Sequence, residues 1–62
     1  MPYIQIEVQR GLAPDTKKAL LTEAVAVVNK AIGSSVAHIN VALIELPPEN
    51  IAEAGQVDRK HT

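Results

Sequence analysis

His38-Ile39-Asn40-Val41-Ala42-Leu43-Ile44-Glu45-Leu46 is the stretch that decides the fold. A strand with one wet face alternates, whereas this run is apolar on both faces, which predicts a strand of a parallel sheet covered on both sides. Pro47-Pro48 ends it, because neither proline can donate to a ladder. Upstream, Pro2 to Gln9 does alternate. Ile4, Ile6 and Val8 lie on one side and Tyr3, Gln5, Glu7 and Gln9 on the other, the period of a half-buried strand. Gly11 supplies permissive backbone for leaving that strand. Pro14 then suits a first helical position behind Ala13, a weak cap, and Asp15 suits the positive end of the helix dipole. Leu21, Ala24, Val25, Val28 and Ile32 recur at helical spacing up to Gly33, a C-terminal stop. Lys17, Lys18, Thr22, Glu23 and Lys30 supply most of the polar surface, and residues 34–37 form a short connection.

Two strands joined by a helix make a right-handed βαβ unit. The expected fold is therefore α/β (α+β): one β-α-β unit, a short turn or hairpin across residues 49–57 around Gly55, and a polar tail at 58–62, all in one domain over 1–62. One helix covers only one face of such a sheet, so the other face must be covered by something this chain does not contain. Ala26, Val27 and Ala31 widen the helical stripe beyond what one small sheet needs. At 62 residues, a core alone is marginally stabilising. There is no cysteine for a disulfide, and His38 and His61 have no co-ligands at metal-site spacing. With 47% hydrophobic residues, oligomerisation is the remaining source of stability, and an obligate oligomer packed sheet to sheet is expected.

Six basic and seven acidic residues leave a net charge of −1, with no Lys/Arg cluster and Tyr3 as the single aromatic residue. That pattern argues against nucleic acid as a partner. The apolar runs are too short to span a bilayer and no signal peptide pattern precedes Pro2, so no membrane association and a cytoplasmic location are expected. No metal or other cofactor is expected either.

Proline at position 2 carries the chemistry. Methionine-removing enzymes usually accept a small penultimate residue, so Met1 is expected to be removed and the mature chain to start with the secondary amine of Pro2. An α-amine titrates near ~7.7–8.0 when unperturbed, and apolar surroundings disfavour its charged form. A free-base amine at neutral pH is a ready general base. Read as a dipeptide alone, Met-Pro is also an ordinary strand start.

The proline-headed strand, Gly11, one helix, and the strand Ile39-Asn40-Val41-Ala42-Leu43-Ile44-Glu45 together resemble the 4-oxalocrotonate tautomerase family over nearly the whole chain, Pro2 to Gly55. Asn29-Lys30-Ala31-Ile32-Gly33-Ser34 and Ile39-Asn40-Val41 are most similar to the β subunits of the trans-3-chloroacrylic acid dehalogenases, a heterohexameric branch. The resemblance implies a βαβ protomer in a hexamer assembled from dimers. It also implies an isomerase in which the N-terminal proline is general base for keto-enol proton transfer on a 2-oxo or 2-hydroxy acid. Two arginines that bind the substrate carboxylates in that family are replaced here by Leu12 and Asn40, and its hairpin aromatic by Ile51. A neutral amide gives up much of the charge-assisted attraction that guanidinium offers a dicarboxylate. Arg10 is the nearest candidate carboxylate anchor, Asn40 a hydrogen-bond donor to the substrate oxygen and Ile51 a wall of the pocket. Glu53 matches the glutamate that activates water in the dehalogenase's other subunit, which leaves open a hydratase or dehalogenase reaction with Pro2 and Glu53 as catalytic groups. A homo-oligomer, a hetero-oligomer with a related subunit, and a non-catalytic structural homologue remain the alternatives.

Overall fold

The computed structural model describes residues 1–57; the polar tail and His61 lie outside the described residues. Strand β1 (Tyr3–Gln9) leads into helix α1 (Pro14–Ile32), then β2 (Asn40–Leu46), then a hairpin of β3 (Ala52–Glu53) and β4 (Gln56–Val57). β1 and β2 pair in parallel with Tyr3 opposite Asn40 and Gln9 opposite Leu46. This is the expected β-α-β unit. The expected strand start at His38 moves to Asn40, because Val36–His38 closes a 3-10 turn in which the His38 and Ile39 N–H groups bond to the Ser35 and Val36 carbonyls. A second such turn, Pro48–Asn50, follows β2.

Helix α1 starts as its sequence dictates. Pro14 occupies the first turn, where its missing N–H is no loss, and Ala13 caps without a side-chain bond. It stops at Gly33, whose φ of 73° is the left-handed conformation that turns its N–H onto the Asn29 carbonyl. Asn29 Nδ2 donates to the Ser34 carbonyl at 2.7 Å and ties the exit of the helix to its own last turn. The half-buried helical positions are Lys17, Leu20, Leu21, Ala24, Val25, Val28 and Asn29, a stripe at three- and four-residue spacing. Two sequence expectations change here. Ile32, expected in the stripe, is 62% exposed. Lys17, expected among the surface polar residues, points inward, because 17 precedes Leu20 and Leu21 by one helical turn.

Parallel partners point to the same side of a sheet, so Val41, Leu43 and Glu45 share the helix-facing side with Ile4, Ile6 and Val8. The opposite side carries Tyr3, Gln5, Glu7 and Gln9 from β1, and Asn40, Ala42, Ile44 and Leu46 from β2. Among the described residues no helix packs on it. Among the described residues no side chain is fully buried, and Tyr3 and Val27 are 76% and 64% exposed. Much of the chain's apolar surface therefore stays exposed in one protomer. No described helix is long and apolar enough to cross a membrane.

Candidate active site

The head of the sheet brings Pro2 and Asn40 together. The Pro2 carbonyl accepts the Asn40 backbone N–H at 3.1 Å, which sets the first rung of the parallel ladder. It also accepts from Asn40 Nδ2 at 3.4 Å, and the same Nδ2 donates to the His38 carbonyl at 3.2 Å. Both partners of the side chain are carbonyl oxygens, so only the NH2 end of the amide can face them. Its Oδ1 is left as the remaining polar atom, so Asn40 offers an acceptor and not the expected donor, because both of its N–H groups are taken by backbone carbonyls. Pro2 itself is half-buried and Tyr3, paired with Asn40 in register, stands exposed on the open face beside it.

Arg10 is at the other end. Its N–H donates to the Leu46 carbonyl at 3.2 Å, beyond the last residue of β1. The seven residues of β1 separate it from Pro2, eight steps along the chain or about 26 Å at a rise of about 3.3 Å per residue. One protomer therefore does not bring the expected base and the expected anchor into one site. Ile51 and Glu53 enter from the Arg10 end as well, since β2 runs away from Pro2 and the hairpin follows Pro47. Ile51 is half-buried, its N–H on the Pro48 carbonyl, and Glu53 is exposed in β3 opposite Gln56.

The Arg10 end is organised by two residues that the sequence reading did not single out. Lys17 Nζ donates to Glu45 Oε1 at 2.6 Å, tying α1 to the helix-facing side of β2. That hydrogen bond is the main reason the Glu45 carboxyl titrates below its ordinary value near 4.5. Partial desolvation opposes the shift, while the charge of Lys17, the Gly11 backbone N–H and the more distant charge of Arg10 add to it. The signal was present in the sequence: an acid in the apolar run of β2 and a lysine in phase with the helical stripe. A shallow hollow over Asp15, Lys18, Ala19, Thr22 and Glu23 lies on the solvent side of α1, and none of the chemistry-bearing residues lines it.

The arrangement resembles known proteins throughout its length. The family model for tautomerase enzymes matches residues 2–60. Among solved structures, YwhB, a homologue of 4-oxalocrotonate tautomerase, superposes with a TM-score of 0.89 at 24% identity, covering 95% of this chain and 100% of its own. TomN, a 4-oxalocrotonate tautomerase homologue in the tomaymycin biosynthetic pathway, gives a TM-score of 0.86 at 27% identity over 90% of this chain and 86% of its own. A 4-oxalocrotonate tautomerase isozyme from Methylibium petroleiphilum gives 0.84 at 23% identity, over 90% of each chain. No curated protein sequence matches significantly.

Proposed function

Because this chain belongs to the tautomerase enzyme family, we propose that it is an isomerase that uses Pro2 as general base for keto-enol proton transfer on a 2-oxo or 2-hydroxy acid. The observation that carries this reading is the seat of Pro2: half-buried at the head of the sheet and held through its carbonyl by Asn40, in a chain whose family match begins at residue 2. With Met1 removed, the Pro2 nitrogen has a lone pair. It takes a proton from the enol system of the substrate and returns it to carbon, so the amine is regenerated and no co-reactant is consumed. With Met1 in place the nitrogen is an amide and the reaction stops.

The substrate is a small carboxylic acid, and its carboxylate needs a cation that Leu12 does not supply. Arg10 fills that role from a neighbouring protomer, since it is about 26 Å from the Pro2 of its own chain. The open sheet face supports such an assembly, a homo-oligomer in this reading. Ile51 lines the same pocket, and Asn40 Oδ1 accepts from the substrate hydroxyl. The neutral residues Leu12 and Asn40 favour one second reading, in which a related subunit supplies the cation and Glu53 activates water for addition to a 3-substituted acrylate.

The test is the ketonisation of phenylenolpyruvate by the purified chain, followed by ultraviolet absorbance on protein whose intact mass shows Met1 removed. Pro2→Ala should reduce kcat/KM by a hundredfold or more, roughly the range of general base catalysis. Full activity in Pro2→Ala would refute the base assignment. Activity that emerges only on adding a related subunit would replace the homo-oligomer with the second reading.

A further inference from the structure

We propose that Asn40 is a positioning residue for Pro2, holding the carbonyl of the terminal residue from two directions so that a single torsion, about Cα–C, is left to aim the ring nitrogen. The inference rests on the reading of Pro2 as base and adds how that base is aimed. A first residue of a chain ordinarily frays, because nothing precedes it and few bonds hold it. Here the Pro2 carbonyl takes two bonds from one residue, the backbone N–H at 3.1 Å and the side-chain Nδ2 at 3.4 Å. The side chain is itself steadied by its second hydrogen, which goes to the His38 carbonyl at 3.2 Å.

The geometry matters because of what proline lacks. Its ring removes the freedom about N–Cα, so only the rotation about Cα–C lies between the ring nitrogen and the Pro2–Tyr3 peptide plane. Holding that plane by its carbonyl leaves the nitrogen a single soft torsion. The backbone bond alone is one rung at the end of a ladder. The Asn40 side chain makes it a two-point hold, and with both of its N–H groups so used the amide presents only Oδ1 outward. Asn40 therefore serves the base with its donors and meets the substrate only as an acceptor. The 3-10 turn at Val36–His38 is part of the device, since it sets the His38 carbonyl that fixes the side chain.

The experiment separates aiming the base from binding the substrate. In mass-verified protein lacking Met1, Asn40→Ala should lower kcat for phenylenolpyruvate about three- to tenfold, the worth of one modest hydrogen bond, and should raise KM as well, because the Oδ1 acceptor is lost with the donors. Asn40→Asp keeps the shape but cannot donate to carbonyls. It should lose at least as much kcat, and its negative charge should also move the acidic limb of the kcat/KM profile to higher pH. Relaxation of a carbon-13-labelled Pro2 ring reads the same device without turnover, and the ring should gain fast motion in both variants. A raised KM with unchanged kcat, or an unchanged Pro2 ring in assembled Asn40→Ala, would overturn the inference. Wild-type kcat and wild-type Pro2 ring motion in both Asn40 variants, with Pro2→Ala inactive, would sink the inference alone. An active Pro2→Ala would sink the base assignment beneath it.

Discussion

Substituting Ile44 by aspartate puts the uncovered sheet face to the test. Ile44 lies opposite Glu7 on the side away from α1, between Ala42 and Leu46, and is half-buried in the single protomer. The protomer exposes 4869 Å², whereas a compact monomer of its mass exposes about 3,900 Å². Burying an isoleucine side chain is worth roughly 1.5–3 kcal/mol, and a carboxylate forced into the same apolar contact adds a desolvation penalty of several kcal/mol. A loss of at least about 4 kcal/mol follows, close to a thousandfold in association. Sedimentation velocity across a dilution series, with circular dichroism on the same samples, reads both assembly and folding. Wild type should be assembled and folded at micromolar concentration and lose both on dilution. Ile44→Asp should be dissociated and largely unfolded throughout, while Ile44→Val, which costs about 1 kcal/mol, should stay assembled. The reasoning fails if Ile44→Asp sediments and melts like wild type, or if the wild-type chain is a folded monomer at high dilution.

Two further substitutions probe local features. Ala54 holds a φ of 51° in the two-residue hairpin turn before Gly55 at 79°, a turn that asks for positive φ at both positions; Ala54→Asn should stabilise the protein by roughly 1 kcal/mol, visible as a raised melting temperature at fixed concentration, and a lower one would contradict the turn. Glu45 has its folded-state pKa depressed, chiefly by the hydrogen bond from Lys17, so its contribution to stability is complete above the ordinary value near 4.5 and is lost as pH falls through the lower folded value. Glu45→Gln should therefore be less stable than wild type to urea at pH 7 and converge with it in strong acid; equal midpoints at pH 7 would show the pair to be idle.

The order of elements was legible in the residues themselves. Alternation in Pro2–Gln9, the two-sided apolar run before Pro47, and the Pro14 and Gly33 boundaries each follow from local stereochemistry that acts the same way in any protein. The start of β2 was not, because His38 is equally at home in a strand or a tight turn, and the 3-10 turn is chosen by the register that pairs Tyr3 with Asn40. Lys17 looked like a surface charge until the helix phase set it against Glu45. The βαβ unit follows from periodicity in the residues alone, and counting apolar faces raised the expectation of an outside partner. Which candidate residues meet is settled by the packing of the strands. It seats Asn40 on the carbonyl of Pro2 and carries Arg10 to the opposite end of the strand. The cause is the parallel pairing itself: strands that run the same way set the two chain starts side by side and separate everything else by the length of the strand.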